Sequence, residues 1–341
     1  MPSLQAVWFG VLGFMLVGYA ILDGFDLGIG ALHLFVGRSE EERSASIEAI
    51  GPIWDGNEVW LVAAGGSLLA AFPAVYGAVL SGFYLVVMLL LAGLMLRGIS
   101  IEMRGREENR FWRLAWDVGF SIGSALTAFL FGVALGNVVR GLPFDASGVY
   151  RGGLSGLLDP FALAMGLLTL ALAAQQGAAW LAIKTEGRLA ERARRAGGVA
   201  TFAAILVWIL VSDMAWFGEN RIYANFGTSP LAWVGPVIAA FSFAALFFAY
   251  RMRLDFAAFV LSSLAIVGLA VTAAGTLYPN LVPGLNGGPS LTIDNASSSN
   301  TTLGITLLVA GTGMPVVMAY TAFIYWKFKG KVGHGQGRPS Y

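Results

Sequence analysis

Long apolar stretches separated by short polar breaks run along the whole chain. Each stretch has about 20 residues, the length that an α-helix needs to cross the hydrocarbon core of a bilayer. They are too continuous for membrane β-strands, which alternate apolar and polar residues. The pattern therefore predicts an all-α polytopic membrane protein with nine transmembrane helices. The predicted helices cover residues 5–32, 51–72, 75–97, 114–139, 158–183, 199–217, 230–250, 255–277 and 302–327.

Proline and glycine mark several of the breaks. Pro73 separates the second and third predicted helices, and Pro52 suits the first turn of the second helix, where its missing N–H is not needed. The longest non-helical stretch is predicted at 278–301, which is rich in Gly, Pro, Asn and Ser. No connection is long enough for a soluble domain. Any chemistry therefore has to take place inside the bundle or at an interface with another chain.

The basic residues predict an orientation. Cytoplasmic ends of membrane helices carry an excess of Lys and Arg. With the N-terminus outside, eighteen of the 21 Lys and Arg residues fall on the cytoplasmic side. The three on the outer side are Arg140, Arg151 and Arg221. The predicted topology is N-out and C-in, and the alternation of charge supports the count of nine helices.

The composition agrees with a membrane protein. The chain is 57% hydrophobic and 12% charged, whereas soluble domains carry about 25% charged residues. The 45 glycines suit helices that pack backbone to backbone. The absence of cysteine excludes disulfides, iron–sulfur clusters and thiolate metal sites. Because the first basic residue, Arg38, follows the first apolar stretch, that stretch is expected to be a permanent span and not a cleaved signal peptide.

Four carboxylates in the first two predicted helices are the main candidates for function. Asp23 and Asp26 lie in the cytoplasmic half of the first helix, and Asp55 and Glu58 open the second within "GPIWDGNEVWL". Residues three apart share a helix face, and a charge inside the bilayer costs on the order of 2.5–3.5 kcal/mol. Four such groups at one depth predict a polar inlet from the cytoplasm that handles protons or ions.

Structural explanations for the same residues remain open. The helix dipole favours carboxylates near a helix start, and Asp23 and Asp26 could simply pair with Arg97 or Arg104. An ion-coupled secondary transporter would also carry buried acids and glycine-broken helices. Among the neighbours of the acidic pair, Trp54 and Trp60 are expected to be interfacial anchors. The amide of Asn57 needs a partner inside the span.

The two histidines are informative because they are so few. Haem in a helical bundle usually needs axial His or Met ligands. His33 ends the first predicted helix and is expected at the membrane interface, and His334 lies in the polar tail. We therefore expect no haem in this chain. The glycine clusters do not follow a strand that leads into a helix, so no nucleotide or nucleic-acid site is expected.

Four segments give the chain a family resemblance. They are "GFDLGIG", "GPIWDGNEVWL", "AAFPAVYGAVLSGFY" and "LYPNLVP…SLTIDNASS". Together they resemble subunit II of the cytochrome bd-type quinol oxidases, and the resemblance extends from Trp8 to Trp326. It implies two four-helix bundles plus one extra helix. The corresponding divisions are 1–140 and 141–278 for the bundles, 279–301 for an extracytoplasmic loop, and 302–341 for the ninth helix and tail.

The resemblance also implies a function and partners. In this family a larger subunit I holds two haems b, one haem d and the quinol site, and subunit II is its haem-free partner. The complex of the prokaryotic inner membrane oxidises quinol at the outer face, takes protons from the cytoplasm and reduces O2 to water without pumping. A small single-helix subunit often completes it. Some members lodge a structural quinone in subunit II.

The resemblance assigns a role to one residue. Asp55 matches the family's proposed proton-channel aspartate, which faces the boundary between the subunits. Glu58 stands where some members have Gln, so its role rests on weaker ground. The implied proton pathway consists of Asp55, Glu58, Asp23, Asp26, Trp54 and Asn57. A subunit II that only supports subunit I is the alternative.

Overall fold

The computed structural model describes residues 3–145, 150–218, 220–285 and 287–332. Its helical order follows the predicted apolar stretches, with three additional short helices. The helices are α1 (Leu4–Val36), α2 (Glu40–Glu48), α3 (Trp54–Ala71), α4 (Pro73–Gly82), α5 (Tyr84–Met103), α6 (Arg110–Arg140), α7 (Leu154–Leu157), α8 (Pro160–Lys184), α9 (Gly187–Gly218), α10 (Val234–Arg251), α11 (Asp255–Leu277) and α12 (Asn300–Lys327).

The structure has eight or nine candidate membrane spans, compared with the nine predicted. Among the described residues, eight helices are long and apolar enough to cross a membrane, and α3 with α4 makes a ninth if the pair is one span. These two helices meet at 119°. The prediction of one helix over 75–97 is wrong, because α4 ends at Gly82 and α5 begins at Tyr84.

Proline causes the bend, but only one of the two prolines acts as predicted. Pro73 occupies the first turn of α4, where its missing N–H costs no hydrogen bond, and α3 ends just before it. Pro52 was expected in the first turn of the second helix. Instead, it lies in a turn two residues before α3 begins at Trp54.

Helix α2 was not predicted, because its sequence EEERSASIE is polar. A capping box starts it: the Ser39 hydroxyl accepts from the Glu42 N–H, and the Glu42 carboxylate accepts from the Ser39 N–H. We call the surface formed by α2 and the 104–109 connection the α2 end of the bundle. Helix α1 ends and α3 begins beside it.

Helix α1 lies at the centre and packs against α3, α6 and α8. Glycine allows the closest of these approaches. A Cβ at Gly28 would lie 1.7 Å from the Ala173 carbonyl oxygen of α8, and one at Gly177 would lie 2.4 Å from the Gly28 carbonyl carbon. Backbones in direct contact gain dispersion energy that larger side chains would prevent. The predicted division into bundles at residues 140 and 278 stays a prediction.

The stretch predicted to be non-helical at 278–301 forms a small cover on the end opposite the α2 end. It contains two short antiparallel strands, β1 (Asn280–Val282) and β2 (Leu291–Thr292). Ser298 fixes the segment to α3, because its N–H and hydroxyl donate to the carbonyls of Ala71 and Ala70. The loop thereby satisfies carbonyls that the end of α3 leaves free.

Candidate functional site

A buried arginine joins the carboxylates of the first two predicted helices. Arg97 of α5 has an exposed fraction of 0%, and its Nη1 donates to Asp23 Oδ1 at 2.7 Å. Its Nη2 donates to Glu58 of α3. A buried charge requires such partners, because water is excluded. The pairing of Asp23 with Arg97, expected as one alternative, is therefore confirmed.

The orientation prediction counts Arg97 among the basic groups of the cytoplasmic side, and the structure adds that its guanidinium is buried in the bundle. It lies one and a half turns before the end of α5, and its partners come from two other helices. The sequence indicated this burial, because the arginine in LMLRGIS follows a run of apolar residues. Arg104 is not part of this group, since it pairs with Asp117 instead.

Asp26 belongs to a second set of contacts, in which its partners are uncharged. Its carboxylate is fully buried, and Oδ2 accepts from Asn57 Nδ2 at 2.8 Å. Asn57 Nδ2 also reaches the Leu22 carbonyl, while Asn57 Oδ1 accepts from the Tyr325 hydroxyl of α12 at 2.9 Å. Asn57 thus finds the partners that an amide inside a span needs, and it connects α1, α3 and α12.

Asp55 lies apart from the arginine. It is exposed and lines a cleft of about 90 Å³ between the start of α3 and the last turns of α12. Asn57 and Tyr325 line the same cleft. Glu58, whose side chain is 28% exposed, turns towards Arg97. The structure therefore brings Asp23, Asp26, Glu58 and Asn57 together inside the bundle and leaves Asp55 at the surface next to them.

The two tryptophans beside the acidic pair pack between helices. The Trp54 ring lies 3.4 Å from the position that a Cβ on Gly98 of α5 would occupy. Trp60 is 5% exposed, and its ring fills the space beside Gly18 of α1. The expectation that Trp60 is an interfacial anchor is wrong, because glycine at position 18 leaves room for the ring inside the bundle.

A further ionic group, not predicted from the sequence, lies at the α2 end. His33 is buried, with Nε2 at 2.7 Å from Asp117 Oδ1 and Nδ1 at 2.7 Å from Ser46 Oγ. His33 is thus buried among side chains near the end of α1, and its expected position at the depth of the membrane interface stays a prediction. Asp117 also binds Arg104 and Arg43. The sequence contained one indication of this group: Asp117 is a carboxylate in an apolar stretch, and such a carboxylate requires partners. His334 lies outside the described residues.

Fold and site together define a polytopic helical membrane protein with a buried cluster of carboxylates around an arginine. Residues 4–328 match the family of cytochrome bd terminal oxidase subunit II, and the chain belongs to this family. It is 35% identical over 362 residues to cytochrome bd-I ubiquinol oxidase subunit 2 of Escherichia coli strain K12, covering 96% of this chain and 95% of that protein. It is 33% identical over 344 residues to cytochrome bd ubiquinol oxidase subunit 2 of Bacillus subtilis strain 168, covering 98% of both.

The solved structure of the bd oxidase from Geobacillus thermodenitrificans has the same fold. The TM-score is 0.80 at 16% sequence identity, over 96% of this chain and 99% of that one. The chain is thus a subunit of a quinol oxidase complex of the respiratory chain, and a multi-pass protein of the bacterial inner membrane. Its place as the second subunit implies a partner subunit I, and the family's complexes use haems.

Proposed function

We propose that this chain is the haem-free subunit II of a cytochrome bd-type oxidase and supplies its cytoplasmic proton inlet through Asp55. The complex would oxidise quinol and reduce O2 to water, with haems b and d in subunit I, and would generate a proton motive force without pumping. This chain, oriented N-out and C-in, would also stabilise subunit I. The observation that carries the inlet is the cleft shared by exposed Asp55 and by Asn57, whose amide reaches buried Asp26.

The chemistry requires such an inlet. Reduction of O2 inside a low-dielectric bundle consumes protons, which cannot cross hydrocarbon unaided. Polar and ionisable groups inside a membrane mark the routes that protons take. In this chain an exposed carboxylate lies at the surface, an amide and a phenol hydroxyl line the cleft, and a second carboxylate lies inside. Asp55 would collect protons from the cytoplasm and release them towards subunit I. Subunit I would pack against α3 and α12.

The contacts of His33 support a haem-free chain. Iron ligation requires a ring nitrogen with a free lone pair, but both nitrogens of His33 contact other side chains at 2.7 Å. Met15, which is buried in α1, has its sulfur in contact with the Ser67 hydroxyl at 3.3 Å. Neither side chain is arranged as an axial haem ligand.

A purely structural subunit is the second candidate function. The ion pairs of Arg97 with Asp23 and Glu58 favour it, because they would hold α1, α3 and α5 together without any proton transfer. In that case the buried carboxylates only hold the helices together, and replacing Asp55 would not change the turnover rate.

Replacement of Asp55 in the intact complex separates the two functions. With Asp55→Asn, the proton-inlet function predicts that quinol-driven O2 consumption falls on the order of 10²-fold, the range in which positioned acid–base groups act. The rate is expressed per haem, so that poor assembly is not counted as slow turnover. Asp213→Asn, an exposed carboxylate on α9, is the matched control and should leave turnover unchanged. Full activity of Asp55→Asn would establish the structural function.

A further inference from the structure

One face of α9 is apolar and exposed along most of the helix and basic at its start. Its exposed apolar residues are Val199, Phe202, Leu206, Leu210 and Phe217. These positions are three, four or seven residues apart, which places them on one side of an α-helix. Arg195 and Arg188 continue the same spacing towards the start of α9. Asp213 lies on this face near its other end, far from the two arginines.

The apolar part of this face has the length of a bilayer core. From Val199 to Phe217 the helix rises ~27 Å at ~1.5 Å per residue, close to the ~30 Å of hydrocarbon in a bilayer. Arg195 precedes Val199 by about one turn and therefore lies at the depth of the lipid headgroups. Arg188 lies ~10 Å further out, in the aqueous layer beside them.

The four arginines at the start of α9 divide into two pairs. Arg192 binds a glutamate of α2, and Arg194 binds Asp255 through two hydrogen bonds of 2.7 and 2.8 Å. Arg188 and Arg195 are exposed, and their side chains have no ion-pair or hydrogen-bond partner among the described residues. Two of the four arginines therefore hold helices together, and the other two turn their charge outward.

No free carboxylate neutralises these charges. The acidic residues at this end of α8–α11 are all in ion pairs, with Lys331, Arg253 and Arg194. Arg251, at the end of α10, is another exposed arginine without an ion pair. The first half differs, because there the exposed carboxylates outside any ion pair in the described part of the chain outnumber the free arginines. They are Glu41, Glu48, Asp55, Glu102, Glu107 and Glu108, against Arg38, Arg106 and Arg110.

The two parts of the α9 face together select an anionic phospholipid. A guanidinium group donates two parallel hydrogen bonds to phosphate oxygens. The apolar residues continue from Arg195 into the depth of the acyl chains, so one lipid molecule meets both parts. A free phosphate ion would leave the apolar part unused. A zwitterionic phospholipid would bring a second cation next to the arginines.

We propose that the outward face of α9 binds an anionic phospholipid, with its phosphate at Arg195 and an acyl chain along Val199 and Phe202. Helix α9 packs against α8, α10 and α1, whereas subunit I is proposed to pack against α3 and α12. The face is therefore available to lipid in the whole complex. Assignment to the inner leaflet rests on the proposed orientation of the chain, but the site itself does not.

Native mass spectrometry of the intact complex with added phosphatidylglycerol tests the site. Phosphatidylglycerol should bind more tightly than phosphatidylcholine. Arg195→Gln should weaken its binding about fivefold, as expected for one arginine at an anionic headgroup, and Arg195→Lys should retain most of the affinity. Arg106→Gln is the matched control, because this arginine is also exposed and unpaired but lies beside free carboxylates. Unchanged binding in Arg195→Gln, or an equal loss in the control, would overturn the proposal.

Two further measurements separate the lipid from other occupants. Inorganic phosphate at the same concentration should not displace phosphatidylglycerol, and displacement would mean a site for free phosphate ions. An experimental structure of the complex in phosphatidylglycerol nanodiscs should show a phosphate within hydrogen-bond distance of the Arg195 guanidinium. A protein chain covering the α9 face would reject the lipid site. None of these measurements uses turnover, so an active Asp55→Asn complex would reject the inlet and leave the lipid site standing.

Discussion

Arg97 of α5 donates to Asp23 of α1 across 2.7 Å, and both side chains are completely buried. Loss of one partner from such a pair leaves an uncompensated charge away from water. The pair therefore joins two helices whose sequence positions lie 74 residues apart.

Arg97→Met should lower the free energy of unfolding of the complex by about 3–5 kcal/mol, because Asp23 stays buried without its cation. Thermal or denaturant unfolding of the purified complex measures the change. Adding Asp23→Asn to this variant should recover part of the loss, as expected for coupled neighbours. Arg151→Met is the control: this arginine is 69% exposed and pairs at the surface, so its loss should cost less than about 1 kcal/mol. Equal effects at both positions would contradict the importance of the buried pair.

Tyr325→Phe should reduce turnover severalfold and stability by only about 1 kcal/mol. It removes the hydroxyl that holds Asn57 Oδ1 at 2.9 Å, so the amide facing Asp26 loses its anchor on α12. Quinol-driven O2 consumption per haem measures the effect. Tyr320→Phe is matched in helix and chemistry, but its side chain is 60% exposed at the same cleft. If both variants keep full turnover, the contact between Tyr325 and Asn57 has no part in proton delivery.

His33→Gln should leave every haem of the complex in place. The imidazole uses its nitrogens on Asp117 and Ser46, and their loss should cost about 2 kcal/mol of stability for two buried hydrogen bonds. Reduced-minus-oxidised absorption spectra, compared at equal protein concentration, report the haem content. A haem band missing from an otherwise assembled complex would show that His33 is a ligand after all.

Gly28→Ala should destabilise the complex by at least about 3 kcal/mol, because the new Cβ would lie 1.7 Å from the Ala173 carbonyl oxygen and push α1 away from α8. Gly24→Ala, one turn earlier on the same helix, meets nothing within 4 Å and should be neutral or slightly stabilising. Yield of assembled complex and its melting temperature compare the two. Similar behaviour would mean that α1 and α8 are not in backbone contact.

The attachment of α2 should weaken in acid. Burial raises the pKa of Glu42, but hydrogen bonds from Arg192 and from the Arg38 and Ser39 N–H groups outweigh it and lower the pKa. A carboxylate with a lowered folded-state pKa stabilises the fold above its unfolded pKa of about 4.3, and this contribution is lost as the pH falls through the folded value. Hydrogen exchange of α2 should rise over that acidic range. Glu42→Gln should reduce the pH dependence, leaving the part that comes from Glu41, whose pKa is lowered by its hydrogen bond with Ser39. Glu48→Gln, at an exposed position, should leave it unchanged.

Hydropathy was sufficient to predict most of the helices, because the length of an apolar stretch directly reflects the thickness of the membrane. It could not predict α2, which is too polar, or the 119° bend after Phe72. A window of mean hydropathy treats a proline between two apolar stretches as a boundary. It contains no information on the direction that the chain takes next.

The candidate site was predictable in part. The acidic residues were found because a carboxylate in an apolar span is costly and therefore conspicuous. Their partners were harder to predict, since Arg97 and Tyr325 come from helices far along the chain. Whether a basic residue near a helix end lies at the surface or inside depends on the packing of those helices. The sequence left open whether Arg97 pairs with Asp23, and it gave no partner for His33. In the structure both side chains are buried against partners from other helices.

The glycine contact between α1 and α8 limits how this protein can work. Alternating-access transporters rock one half of the molecule against the other around a fixed site. Here the backbones of Gly28 in α1 and Ala173 in α8 touch without intervening side chains, so these two helices have no soft layer across which they could slide. Close packing therefore fixes the position of α1 relative to α8. Any gating along it during turnover must come from rotating side chains and rearranging water.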